Sequence, residues 1–324
     1  MKLKSMAIVL ALSLPGISPS LTPAQSYPTK PIRMIVPFPP GGGVDFIGRI
    51  MGKHLSERLG QQVLIDNRAG ANGIVGLQIL KAAPPDGYTI SAASAGPLTV
   101  NPHIYRKLPY DTLRDFAPIS NMVNFPLLLV VHPSLPVHNV KELIALASKR
   151  PGELAYSSSG IGNSGQLAAE LFNSMAKVQI LHVAYKGTGP AGVALLAGEV
   201  QLTFSSIPTV LPHVRAGRLR ALGVGNLQRI PSMTEFPTIA ESGLPGYEAY
   251  AWAGMIAPTG TPREIITRLN REIVQILKRK DVADQLLREG TVPIPDTPED
   301  FTAYMKAEIK KWGEVVKLAK IQPE

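Results

Sequence analysis

Two glycine-rich segments carry the residue types best suited to gripping a small ligand. The first is Pro37-Phe38-Pro39-Pro40-Gly41-Gly42-Gly43-Val44-Asp45. Its prolines fix the approach of the chain and have no N–H to offer. Its three glycines turn freely and leave backbone N–H donors uncovered. Asp45 can cap the helix that follows or accept a hydrogen bond from a ligand. The second is Ser157-Ser158-Ser159-Gly160-Ile161-Gly162-Asn163-Ser164-Gly165-Gln166. Gly160, Gly162 and Gly165 satisfy G-x-G-x-x-G, the spacing of a dinucleotide-binding turn. That fingerprint calls for an acidic residue about 20 positions on. Tyr185-Lys186-Gly187 stands there instead, so the segment reads as a general anion cradle with hydroxyls from Ser158, Ser159 and Ser164. Lys186 adds a charge, and Ser205 and Ser206 add hydroxyls at the end of another β-like run. Either glycine segment can also be an ordinary strand-to-helix turn, but three glycines after two prolines exceed what a turn requires.

Several chemistries find no footing. The chain has no cysteine, which removes disulfides, thiol catalysis, iron–sulfur clusters and thiolate zinc sites. Its six histidines (His54, His103, His132, His138, His182 and His213) fall into no metal-ligand spacing. There is no G-x-S-x-G, no Walker A sequence, and no combination of S-x-x-K with its S-D-N and K-T-G partners. A serine hydrolase using Ser164 or Ser158 would lack a base nearby in sequence. Asn67-Arg68-Ala69-Gly70 and Asn101-Pro102 are loop signals that can border a site or be turns only.

The elements that must position these loops alternate between strand and helix. Ile32–Val36, Val63–Ile65, Thr89–Ala93 and Phe116–Val123 read as strands. Ile47, Ile50, Met51, Leu55 and Leu59 recur at helical spacing, and Ile74–Ala82 forms a second helix. A second set opens on the uniformly apolar Leu127–Val131, as central strands do. Helices at Val140–Lys149, Ser164–Met175 and Ala191–Leu196 then alternate with strands at Leu154–Ser157, Ile180–Ala184, Val200–Phe204 and Leu219–Val224. Such alternation predicts mostly parallel sheets flanked by helices, with ligands gathering at the carboxyl ends of the strands. Toward the C-terminus, Thr261-Pro262-Arg263-Glu264 and Thr297-Pro298-Glu299-Asp300 have the composition of capping boxes. Phe301–Leu318 carries alternating charges and reads as a solvated outer helix.

At 324 residues the chain suggests two domains. Lys2 and Lys4 precede the apolar run Met6–Leu14, which stops at Pro15-Gly16. With small residues at Thr22, Ala24 and Ser26, residues 1–26 read as a secretory signal peptide cleaved after Ala24 or Ser26. In a bacterium that predicts a periplasmic protein. Removing two lysines lowers the formal charge of +9 to +7, and the excess is spread thinly. No basic tail or aromatic interleaving suggests nucleic acid; a mild positive field favours small anions.

The same residues carry a resemblance. Tyr27–Arg33, the loop Pro37–Asp45, Val63–Gly73, Pro84–Tyr88, Ala184–Pro190, Leu211–Gly217 and Phe236–Gly246 resemble the Bug proteins, the TctC-like periplasmic receptors of tripartite tricarboxylate transporters. The resemblance covers essentially the whole mature chain. It implies an α/β fold of two lobes, a type II-like periplasmic binding protein closing as a Venus flytrap. It also implies a small organic anion as ligand, commonly a carboxylate, held by backbone donors and ordered waters. The implied contacts are Phe38, Gly41, Gly42, Gly43 and Asp45 on one side. Asn163, Ser164, Gly165 and Gln166 lie on the other, with Ser205 and Ser206 nearby; Ser158 and Lys186 complete the expected set. Many relatives have His at the place of Gln166 and Asp in the Phe204-Ser205-Ser206 segment, and serine there argues against an amino-acid ligand. The expected lobes are 27–123 with 249–324, and 124–248, hinged at Asn121–Pro126 and Glu248–Ala257. The expectation is a monomeric, non-enzymatic solute-binding protein without cofactor or metal. It would serve the membrane subunits of a transporter or, alternatively, a sensor kinase.

Overall fold

The computed structural model describes residues 27–319 and 321; the signal-peptide reading falls outside them. In chain order the elements are β1 (Ile32–Val36), α1 (Gly43–Leu59), β2 (Val63–Asn67), α2 (Ile74–Lys81), β3 (Thr89–Ser94), α3 (Asn101–Ile104), α4 (Thr112–Asp115) and β4 (Phe116–Val131). The middle of the chain adds α5 (Val140–Lys149), β5 (Ala155–Ser158), α6 (Ser164–Ala176), β6 (Leu181–Ala184), α7 (Thr188–Leu196), β7 (Leu202–Ser206), α8 (Ile207–Arg215) and β8 (Arg220–Val224). Last come β9 (Tyr250–Pro258), α9 (Arg263–Leu277), α10 (Lys280–Arg288), β10 (Val292–Pro293) and α11 (Pro298–Leu318).

The strand order is β2-β1-β3-β9-β4-β7-β5-β6. Strands β2, β1 and β3 run parallel, as do β6, β5 and β7. These two parallel groups belong to the strand–helix alternation visible in the sequence. Between them run β4 and β9, antiparallel to each other and to their neighbours. Strand β4 pairs with β9 from Phe116 to Pro126, then with β7 and β8 from Leu127 to Val131. It therefore leaves one half of the molecule and enters the other without ending. Both expected hinge segments fall on this two-stranded ribbon, whose register shifts near Pro118 and Asn121 bend it.

Four apolar clusters bury the halves. Met34, Ile47, Met51, Leu55 and Ile273 form part of one on the β1 side, and Trp252, Ile256, Phe301 and Met305 part of a second. Leu129, Val131, Tyr156, Phe172 and Tyr247 belong to a third, and Leu128, Val130, Leu195 and Val210 to a fourth. Burying each such aliphatic side chain contributes about 1.5–3 kcal/mol.

Four sequence expectations need correcting. Phe116–Val123 and Leu127–Val131 are one strand, because Pro126 falls at the handover between partners, where a missing N–H breaks no ladder. The sequence reading assigns no element between Val200–Phe204 and Leu219–Val224, and helix α8 stands there, with Pro208 in its first turn and Pro212 in its interior. Thr261 caps no helix: Pro262 is the N-cap of α9, and the Thr261 hydroxyl turns back to donate to the Pro258 carbonyl at 2.8 Å. Thr297 does cap α11, accepting the Asp300 N–H at 3.1 Å. Finally, α11 is not merely a solvated face. Phe301 and Met305 enter a core of the first half, while Trp312, Val315 and Val316 pack with Leu167, Phe172 and other residues of the second.

Candidate ligand cleft

A cleft open to solvent lies where the halves face each other. Phe38, Asn72, Ser94, Gly96 and Val100 line it from one side, and Gly162, Asn163, Ser164 and Leu167 from the other. Tyr250 and Ala251 of β9 and Trp312 of α11 also line it. No Lys, Arg, His, Asp or Glu is among the described residues that line it. Polarity comes from amide and hydroxyl groups, and most of the wall is apolar.

The first glycine loop is built from behind. Gly41 sits at φ +87°, which costs glycine little. Gly42 is the N-cap of α1 with no side-chain bond, so Asp45 is not the cap. The Asp45 carboxylate is buried and accepts from the Gly41 N–H, Arg49 Nε and Asn67 Nδ2, each at 2.9 Å. Burial works to raise its pKa. The hydrogen bonds from Arg49, Gly41 and Asn67, with the Arg49 charge, outweigh burial and hold the carboxyl below its ordinary value. Asn67 also donates to the Phe38 carbonyl at 3.0 Å. Asp45 and Asn67 thus set the loop from which Phe38 reaches the cleft.

The second loop opens α6. Asn163, the N-cap, accepts from the N–H groups of Gly165 at 2.8 Å and Gln166 at 3.1 Å, satisfying donors that a helix start leaves unpaired. Its own amide donates to Ser158 Oγ and the Gly160 carbonyl. Beneath the loop, Gln166 Oε1 accepts the Gly162 N–H at 2.7 Å, which turns the Gln166 NH2 toward His182 Nδ1 at 3.1 Å. Nδ1 is therefore the acceptor, and Nε2 carries the proton and donates to Ser158 Oγ at 2.6 Å. The Ser158 hydroxyl donates its own hydrogen bond to the Gly160 carbonyl at 3.0 Å. The His182 ring stacks on Tyr156 with centroids 5.0 Å apart, and burial lowers its pKa.

The opposite wall rests on a turn in which Gly70, Ala71, Asn72 and Gly73 all have positive φ. For Ala71 and Asn72 that conformation is costly. Asn72 donates to Asn101 Oδ1 at 2.8 Å, and Asn101 donates back to the Asn72 carbonyl at 3.2 Å. Asn101 also donates to the Tyr110 hydroxyl, which donates in turn to the Pro97 carbonyl at 2.6 Å. The halves approach closely here: a Cβ on Gly162 would lie 2.3 Å from Ile104 Cδ1.

Of the residues singled out in the sequence, Phe38, Gly162, Asn163 and Ser164 line the cleft. Gly41, Gly42 and Gly43 shape the loop that carries Phe38. Asp45, Ser158 and Gln166 face into their loops and hold them from within. Gly165 serves packing, since a Cβ there would sit 2.6 Å from the Phe204 carbonyl oxygen. Lys186 is exposed, and neither it nor Ser205 nor Ser206 is in the cleft wall. The Ser206 hydroxyl pairs with Thr209 at 2.8 Å. Sequence reasoning passed over Asn72, Ser94, Tyr250 and Trp312; the Asn72-Gly73 pair, a turn signal, was the one visible hint.

The model of the tripartite tricarboxylate transporter family receptor matches residues 47–321. The chain belongs to this receptor family. Protein BugT of Bordetella pertussis is 39% identical over 295 residues, covering 91% of this chain and 90% of its own. Among solved structures, Rpa4515 of R. palustris with adipate has 39% identity and a TM-score of 0.82, covering 92% of this chain and 100% of its own. MatC of Rhodopseudomonas palustris with bound malate has 30% identity and a TM-score of 0.76, covering 90% and 100%. The receptor family's two-lobe α/β architecture accounts for the two parallel groups joined by β4 and β9.

Proposed function

We propose that this receptor captures a small organic carboxylate in the interlobe cleft and delivers it to the membrane subunits of a tripartite transporter. The observation that carries the reading is the cleft itself. It lies between halves joined by a bent ribbon, with the N-terminus of α6 and neutral donors facing apolar walls. Helix N-termini and amide donors attract anions without a cationic side chain, and the apolar walls suit a hydrocarbon body. The adipate and malate in two relatives agree in ligand class. Contacts come from Phe38 and the backbone N–H groups of Gly42 and Gly43 on one side, and from the Asn163–Ser164 start of α6 with the Ser164 hydroxyl on the other; the Gly41 N–H and the Asn163 NH2 hold the loops themselves. Closure brings lobes 27–123 with 249–324, and 124–248, together and stabilises the form that the transporter recognises. Residues 1–26 act as the export signal, and the mature chain works in the periplasm as a monomer.

The protein does no chemistry on its ligand. Ser158 accepts a hydrogen bond from His182 instead of donating one to it, so this pair is arranged in the reverse of a nucleophile and its base. Calorimetric titration with adipate, malate, benzoate and L-glutamate tests the reading. Binding of at least one non-amino carboxylate at micromolar affinity or tighter, with no turnover, is expected. Preferential binding of glutamate, or conversion of any of the four, overturns it.

A further inference from the structure

We propose that Glu308 is a positioning residue for ligand capture, holding the cleft wall to the crossing strand through the protein's two tryptophans. The proposal rests on reading the cleft as the ligand site. The sequence contains two tryptophans. Trp252 lies on β9 and Trp312 on α11, and both are buried. Their indole N–H groups converge on one oxygen: Trp252 Nε1 is 3.1 Å and Trp312 Nε1 2.7 Å from Glu308 Oε2. The other oxygen, Oε1, lies 3.4 Å from Lys311 Nζ, which also donates to the Glu248 carbonyl at 3.0 Å, just before β9.

A carboxylate at 6% exposure is costly unless its lone pairs are filled. Filling the same space with an apolar side chain would often stabilise as well or better. Core stability alone therefore gives weak grounds for an acid here. Orientation gives stronger ones. A buried indole needs a partner for its N–H, and one shared acceptor fixes two rings relative to each other. Trp252 packs with Phe301 and Tyr304 in the first half. Trp312 lines the cleft and joins the core of the second half. The shared oxygen makes the Trp312 ring follow β9 as the lobes close. The backbone at this point is gripped as well: His103 Nε2 donates to the Ile309 carbonyl at 2.8 Å, and a Cβ on Gly313 would lie 2.7 Å from the His103 ring.

The test measures adipate, malate and benzoate binding and indole emission in wild type, Glu308→Gln and Glu308→Leu. The glutamine carbonyl can still accept both N–H groups, so E308Q should bind within about threefold of wild type. E308L should bind about tenfold more weakly or worse, with a shifted indole emission in the free protein and a blunted change on ligand addition. A purely structural role predicts a lower Tm with wild-type affinity and emission change in the folded fraction; that result overturns the proposal. If E308L does not fold, Trp252→Phe decides, because it cuts the link without touching the cleft. Its affinity should fall, and unchanged affinity overturns the proposal. If wild type binds none of the three acids, the reading of the cleft fails first and this proposal with it.

Discussion

His182 touches no cleft wall, yet it fixes the loop that does. It joins Gln166 on one side to Ser158 on the other, and the arrangement works only with Nδ1 unprotonated. Burial lowers its pKa, so the folded state disfavours the charged form. Stability from this group is therefore present above the unfolded value of about 6.5 and lost as pH falls toward the lower folded value. The Tm advantage of wild type over His182→Phe should shrink between about pH 7.5 and pH 5, as followed by thermal melts. Asp296 carries the opposite sign. Burial pushes its pKa up to about 6, against the Asn121 N–H that it accepts at 2.6 Å. Its contribution is fully present below the unfolded value of about 3.9 and is lost as pH rises through about 6. Asp296→Asn keeps an acceptor for Asn121 and should melt higher than wild type near neutral pH. The gain should vanish by about pH 4. Asp45, Ser158 and Gln166 stood out in the sequence because they sit beside glycines. What sequence cannot give is which way a side chain turns, and all three turn inward.

Turns at the starts of α1 and α6 were legible, since glycines, prolines and asparagine announce them. Proline hid two elements where it has a benign place: β4 reads as two strands across the Pro126 handover, and α8, with Pro208 and Pro212, is not visible as a helix. Asn163 is expected to be costly to lose: Asn163→Ala leaves two N–H groups of α6 unpaired and should cost about 1 kcal/mol in denaturant melts. Gly162 is held at φ +74° with Ile104 against it. Gly162→Ala should weaken carboxylate binding by propping the halves apart. Adding Ile104→Ala should restore part of the affinity and leave the backbone strain of about 1 kcal/mol; no restoration in titrations would remove Ile104 from the account. Gly42 is the contrasting case. A Cβ there meets only the Pro39 carbonyl oxygen, at 3.9 Å, so Gly42→Val should fold normally while crowding the N–H donors and abolishing binding.

At the scale of the whole chain, strand–helix alternation revealed two parallel groups, and family motifs revealed how they relate. The sequence hid that α11 reaches both halves. Its charges suggested a solvated helix, but Phe301, Met305 and Trp312 sit beneath them at helical spacing, facing different cores. The ribbon of β4 and β9 and this helix are three connections across one cleft, which favours a hinge motion of limited amplitude over free rotation.

The cleft wall, with no ionised side chain among its described residues, has a consequence for the medium in which the protein works. A ligand carboxylate arriving there breaks no salt bridge and displaces no tightly held counterion. Raising sodium chloride from about 0.02 M to 0.5 M shortens the Debye length severalfold. It should slow the approach of an anion toward the weakly basic surface yet barely change the equilibrium constant, because the contacts that hold it are short-range dipoles screened little by salt. A receptor built this way would keep its affinity as the ionic strength around it rises and falls.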